Sequence, residues 1–241
     1  MWRMIPVLFI VSWHTLAGDE LAKFQSDTFA CRGGRIVIFF IGHGTLMLQY
    51  RNSAIHVDPV GEYADYSKMP KADLILITHE HQDHLDPQAI KMITKKATSL
   101  VLNQAARERL GMGTALGNGD SLEIKGIGIK AVPAYNTTPG RDRFHPRGRG
   151  NGYILNVGGK RIYIAGDTED IPEMAKIQNI DIAFLPVNQP YTMTPQQAAR
   201  AARMIKPRVL YPYHYGQTDI SVLPGLLKDV PEVEVRIRNL P

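Results

Sequence analysis

The hexapeptide His79-Glu80-His81-Gln82-Asp83-His84 gathers three imidazoles and two carboxylates into six residues. In an extended stretch alternate side chains share a side, so His79 and His81 can offer their ring nitrogens to one cation. Asp83 and His84 follow closely enough to hold a second. Glu80 and Gln82 fall away from the two ligand sides by the same alternation, and neither is assigned as a general base. Neutral imidazole with carboxylate suits zinc, iron or manganese, and Zn–N bonds of about 2.0–2.1 Å require a structured loop that converges tightly. Cys31 is the only cysteine, so a thiolate cluster and an internal disulfide are both excluded. The competing reading is a solvated polar loop.

A converging loop needs rigid supports. Asp73-Leu74-Ile75-Leu76-Ile77 is a continuous apolar run, the pattern of a strand covered on both faces, and it delivers the chain directly into the cluster. After the cluster, Asp86-Pro87 supplies an N-cap and a first-turn proline for a helix with Ile90, Met92 and Ile93 as candidate buried positions. Upstream, residues 35–41, 45–50 and 54–57 read as a β-meander, preceded by a polar segment that reads as a mature N-terminus. Further strands are predicted at 99–102, 121–124, 127–132, 152–157 and 161–165, with Gly158-Gly159 as a hairpin turn. Residues 181–187 form another apolar strand. Thr194-Pro195-Gln196-Gln197 is a capping box opening a helix with Ala198, Ala201, Ala202 and Ile205 on one face, and 208–211 returns to strand before His214. Both halves run from strands to helices with no linker, low-complexity segment or short repeat. The pattern predicts an α/β fold of two mixed sheets packed together with helices outside.

A His-X-His-X-Asp-His run after an apolar strand resembles the signature of the metallo-β-lactamase superfamily. The resemblance extends from residue 35 to the end and implies a four-layer αββα sandwich with a centre of two divalent metal ions. Asp58, in His56-Val57-Asp58-Pro59, matches the superfamily's aspartate at the end of an early strand. Asp167, in Ala165-Gly166-Asp167-Thr168, matches the glycine-aspartate after a later strand, and His214 the final histidine. By this likeness Asp167 bridges the metals, neutralising charge between ions roughly 3.5–4 Å apart. His214 is a further ligand, and Asp58 orients a ligand histidine or braces the loop. Taken alone, Asp58 and Asp167 also fit as strand-end or turn residues, and His214 as a structural histidine.

The superfamily places a third histidine for the first metal between the cluster and Asp167, and only His145 lies there. Lactonase-like relatives carry that histidine after an Ala-aromatic pair, where this chain has Ala134-Tyr135-Asn136, so Asn136 or water are the alternatives to His145. His43, in Gly42-His43-Gly44-Thr45, resembles the glycine-histidine turn of the branch similar to L-ascorbate-6-phosphate lactonase and the N-acyl-phosphatidylethanolamine-hydrolysing phospholipase D. It is a candidate for contact with substrate or with a ligand, or a plain turn histidine. Catalysis is expected to centre on Asp83, His84 and Asp167, with attack by hydroxide on metals that lower the pKa of water from about 15.7 to roughly 7. Zn2+ is the first expectation, with Mn2+ or Fe2+ as alternatives. His14 and His56 receive no role.

With 241 residues, 44% of them hydrophobic and 21% charged, the chain can bury the core of one α/β domain. A formal charge of +5 attracts anions mildly but lacks the dense basic runs of a nucleic-acid binder, so no stable nucleic-acid partner is expected. Arg141, Arg143, Arg147 and Arg149 form a basic run beside the expected metals, either solvated or a rim favouring phosphate or carboxylate substrates. Tyr191 is a candidate second wall of the pocket, or a packing residue. The expected function is hydrolysis of a small anionic ester, lactone or phosphodiester. A nuclease of the same fold, a β-lactamase and a noncatalytic metal-binding protein are the competitors. Arg3 before the apolar stretch 5–13, then Thr15-Leu16-Ala17, reads as a signal peptide over residues 1–17, too short to span a bilayer. This leaves 18–241 as a single metallo-hydrolase domain, secreted or periplasmic, with a buried N-terminal strand in a cytoplasmic protein as the alternative.

Overall fold

The computed structural model describes residues 16–240. The signal-peptide reading of 1–17 therefore lies outside the described residues except at its end, where Leu16 opens the short helix α1 (Leu16–Leu21). No helix among the described residues is long and apolar enough to cross a membrane.

Two seven-stranded sheets carry the fold. The first runs in chain order through β1 (Ser26–Cys31), β2 (Gly34–Gly42), β3 (Thr45–Tyr50), β4 (Ser53–Val57), β5 (Leu74–Ile77), β6 (Ser99–Leu102) and β7 (Thr114–Ala115). The second contains β8 (Ser121–Ile124), β9 (Ile127–Ala134), β10 (Gly150–Val157), β11 (Lys160–Ile164), β12 (Ile182–Pro186), β13 (Val209–Tyr213) and β14 (Glu234–Val235). In each sheet the first four strands pair antiparallel and the next three join in parallel. The two halves thus share one architecture, although no repeat is visible in the sequence.

Side-chain alternation explains the layering. In β2, Ile36, Ile38 and Phe40 point into a core between the sheets, as Ile182 and Phe184 do from β12. The fully apolar β5 divides its residues: Leu74 and Leu76 enter this inter-sheet core, while Ile75 and Ile77 pack beneath helices on the outer face. The helices α2 (Pro87–Ile93) and α3 (Gln104–Leu110) cover the first sheet, and α4 (Pro195–Ile205) and α5 (Leu223–Leu226) the second. The order helix, sheet, sheet, helix is the αββα sandwich expected from the sequence.

Asp86 caps α2 through the backbone N–H groups of Gln88 and Ala89, and Thr194 and Gln197 form the reciprocal box at α4. One burial expectation for α2 fails: Met92 is 43% exposed, because Ala89, Ile90 and Ile93 form the inward stripe of this two-turn helix. The polar stretch before residue 35 contains a strand absent from the sequence reading: residues 26–31 form edge strand β1 with its side chains only half covered. Helix α3 was also not anticipated. Its signals are local ones, an Asn103 side chain accepting from Ala106 N–H and Gly111 in the left-handed region at φ 76°.

Asp27 ties the two sheets together. From β1 its carboxylate accepts hydrogen bonds from Arg238 Nη2 at 2.8 and 2.9 Å, from Arg236 Nη1 at 3.2 Å, and from the Tyr211 hydroxyl on β13. Burial alone would raise the Asp27 carboxyl, but the Tyr211 and Arg238 hydrogen bonds outweigh it and hold the group below its ordinary value. A folded-state pKa below the unfolded value of about 3.9 gives stability that is fully present above that pH and lost as pH falls through the folded value. Asp27→Asn is therefore expected to lower unfolding stability by about 2 kcal/mol near neutral pH, with the difference from wild type shrinking below about pH 4. Urea unfolding of both proteins at pH 7 and pH 3 checks this, and an undiminished difference at pH 3 would contradict it.

Candidate metal centre

The chemistry-bearing residues collect where strands end. β4 runs into Asp58, β5 into Thr78 and His79, β11 into Asp167, β12 into Asn188 and β13 into His214, while the β2–β3 turn carries His43. Three of these residues hold left-handed backbone rarely adopted by non-glycine residues: His43 at φ 54°, Asp58 at 44° and His214 at 48°. Such strain persists only where the surroundings over-determine it, and it clusters at functional sites. Gly44 permits the close approach, because a Cβ there would lie 2.7 Å from His84 Cε1.

Nine residues singled out from the sequence meet at this edge. His79, His81 and His145 form one group of converging ligand atoms, and His43, Asp83, His84 and His214 another. His79 and His84 also converge with Asp167. His79 Nε2 faces His81 Nδ1 at 3.0 Å. Asp167 lies between the groups, with Oδ2 3.2 Å from His145 Nε2 and 3.5 Å from His214 Nε2, and Oδ1 3.5 Å from His84 Nε2. His43 Nε2 lies 3.1 Å from Asp83 Oδ2. His56 stays apart in β4, its Nε2 against the Pro70 carbonyl, and burial lowers its pKa to about 4.

The outward nitrogens of the key rings are engaged by protein, which determines what the inward ones can do. Asp58, wholly buried, accepts from Thr78 N–H at 2.8 Å, from Thr78 Oγ1 at 2.7 Å and from His84 Nδ1 at 2.8 Å. His145 Nδ1 donates to the Tyr191 carbonyl at 3.1 Å. His84 Nε2, His145 Nε2, His214 Nε2 and Asp167 Oδ1 are all buried and make no hydrogen bond. Each such buried orphan costs about 1–3 kcal/mol. The three ring nitrogens gather within 3.2–3.5 Å of the Asp167 carboxylate and fit cation ligation, with the opposite nitrogens of His84 and His145 held by Asp58 and the Tyr191 carbonyl.

The electrostatics agree with this chemistry. Burial, reinforced by His84, pushes His79 well below the ordinary imidazole value, and burial with His145 lowers His81. Burial also lowers His214, against the pull of Asp167. These shifts favour the neutral form of the three rings, which can offer a lone pair to a cation. At His84 burial is overcome by Asp167 and Asp58, and the pKa rises to about 9. Burial would raise both carboxyls, yet His214 and His43 hold Asp83, and His214 and His84 hold Asp167, far below the usual carboxylate range. The centre therefore draws positive charge to itself.

The segment between β9 and β10 is held at several points. Buried Glu169 accepts from Thr137 N–H at 2.8 Å and Thr138 N–H at 2.7 Å, and lies 3.4 Å from Arg141. Arg147 pairs with Glu173 at 2.8 Å, and Arg149 with Glu80, whose carboxylate also accepts from Asn103. In the basic run Arg143, Arg147 and Arg149 are exposed, as the solvated reading expects; three of the four arginines have acidic partners, and Arg143 has none among the described residues. The Asn136 amide nitrogen donates to the carbonyls of Tyr191 and Arg141, which sets it to bracing this segment, while its Oδ1 has no partner. Thr78, Glu80, Glu169 and Asn188 were not singled out as supports. Their roles depend on long-range partners that no local pattern announces. The centre opens into a cavity of about 400 Å³ bordered also by Phe144, Asn188 and Tyr191.

Comparison with known proteins places this geometry in a family. The β-lactamase superfamily domain matches residues 37–214. A crystal structure of a Parabacteroides distasonis protein described as a metal-dependent hydrolase is 60% identical, with a TM-score of 0.88, over 90% of this chain and 100% of that one. Igni18, a metallo hydrolase from Ignicoccus hospitalis, is 25% identical with a TM-score of 0.71 over 84% of this chain and 94% of its own. A UPF0173 metal-dependent hydrolase from Thermococcus onnurineus is 32% identical over 193 residues, 75% of this chain and 84% of the relative. With its signature histidines, its two sheets and these relatives, the chain belongs to the metallo-β-lactamase superfamily, among proteins called metal-dependent hydrolases.

Proposed function

We propose that this protein is a hydrolase working with two divalent cations, His79, His81 and His145 around one and Asp83, His84 and His214 around the other, with Asp167 between them. The gathering of the buried, hydrogen-bond-free Nε2 atoms of His84, His145 and His214 around the Asp167 carboxylate carries the reading. Cations held there supply water acidified enough to attack near neutral pH, and polarise the bond to be cleaved. Nitrogen and oxygen ligands favour Zn2+, with Mn2+ or Fe2+ as alternatives. Asp58 fixes the ring plane and tautomer of His84, and the Tyr191 carbonyl does the same for His145. His43 holds the free edge of Asp83.

Two carboxylate ligands offset only half the charge of two divalent ions, so the centre favours a small anionic ester, lactone or phosphodiester. That preference rests on the ligand set, since most of the neighbouring arginines are already paired. A single domain over 18–241, with a cleaved N-terminal segment and a secreted or periplasmic location, completes the proposal.

Protein loaded with zinc is expected to carry two ions per chain by elemental analysis and to turn over a member of a phosphodiester, lactone and β-lactam panel. Two bound ions with no turnover across the panel would overturn the hydrolytic reading. His79→Ala and Asp167→Ala are expected to reduce kcat/KM by about a thousandfold or more while keeping a cooperative unfolding transition in chelator. Full activity in either folded variant would sink the assignment. Asp58→Asn should weaken metal binding about 10- to 100-fold, measured by competition with a chromophoric chelator. The proton that Asp167 and Asp58 keep on His84 up to about pH 9 must leave before Nε2 can ligate, so metal uptake at neutral pH releases protons and affinity falls as pH is lowered. Calorimetry in buffers of different ionisation enthalpy reads the release; identical apparent enthalpies would contradict it.

A further inference from the structure

One wall of the metal cavity is aromatic. Phe144 and Tyr191 both border it, with ring centroids 5.0 Å apart and planes at 73°, an edge-to-face pair. Tyr191 is 45% exposed, whereas most large apolar side chains of this protein are buried. Its hydroxyl makes no hydrogen bond among the described residues.

The two rings are fixed relative to the ligand atoms. Phe144 directly precedes His145 in the chain. The Tyr191 carbonyl accepts from His145 Nδ1 at 3.1 Å and from Asn136 Nδ2 at 2.7 Å. The main chain of Tyr191 therefore braces a candidate metal ligand while its side chain borders the cavity, so an aromatic surface stands at a set position beside the reacting centre. Arg143 Cζ lies 4.9 Å from the Phe144 ring centroid, close enough for a cation–π contact that keeps this ring in place.

We propose that Phe144 and Tyr191 form a subsite for a flat apolar group of the substrate, so that aryl-bearing anions are selected over alkyl anions of equal charge. The inference rests on the hydrolytic reading for its consequence in turnover, and on the cavity geometry alone for binding. Rigid aromatic surfaces recognise planar groups through edge and face contacts at little entropic loss, and a contact of this kind changes affinity by about five- to tenfold.

The test uses full-length, zinc-loaded protein and two non-hydrolysable probes, phenylphosphonate and methylphosphonate, titrated by calorimetry. Wild type should bind phenylphosphonate about five- to tenfold more tightly. Tyr191→Ala, which leaves the main-chain carbonyl in place, should cost phenylphosphonate about five- to tenfold more affinity than methylphosphonate and so remove that preference, and Tyr191→Phe should retain it. Equal affinities in wild type, or an equal loss of both probes in Tyr191→Ala, would overturn the subsite. Turnover of phenyl and methyl esters of one acid separates the two claims. Turnover without aryl preference in KM overturns the subsite and leaves the hydrolase standing. Aryl-selective binding with no turnover of either ester supports the subsite and removes the hydrolase.

Discussion

Placing Asp83, Asp167 and a ring of imidazoles at one sheet edge creates an electrostatic demand that the rest of the structure is organised to meet. Burial disfavours charged carboxylates, yet neighbouring histidines hold both well below the usual range, while burial lowers the pKa of His79, His81 and His214. His84, wedged between Asp58 and Asp167, is raised instead. The arrangement is balanced only when positive charge sits among these groups. The backbone strain at His43, Asp58 and His214 is tolerated because the surrounding hydrogen bonds and packing fix those turns.

The sandwich supplies the rigidity. Both sheets extend an antiparallel meander with three parallel strands, and parallel strands end on the same side, so β4, β5, β11, β12 and β13 all release their chains at one edge. Ligand-bearing turns from both halves thereby converge without long excursions. The inter-sheet core holds the two halves in register, and Asp27 with its arginine and tyrosine partners fastens the outer strand of one sheet to the other.

Charge at the mouth of the centre depends on partners distant in the chain. Four arginines within nine residues suggest an electropositive rim, but folding delivers Glu169, Glu173 and Glu80 to three of them. Besides the candidate ligands and His43, the cavity is bordered by Phe144, Tyr191 and Asn188, with the Arg143 guanidinium beside Phe144.

The sequence by itself indicated the candidate ligand types, the strand that leads into the first four of them, the N-cap of α2, the capping box of α4 and the layered class, because period-two and uninterrupted apolar patterns dictate which faces are covered. Resemblance to the superfamily pattern also pointed to Asp58, Asp167 and His214, which on their own fit equally as strand-end, turn or structural residues. The placement of His145 beside His79 and His81 belonged to the tertiary structure. The Tyr191 carbonyl that fixes the His145 ring lies 46 residues away in the chain. Likewise Met92, strand β1 and the paired arginines were decided by which faces and charges folding brought together, and those distances are not encoded in any local window.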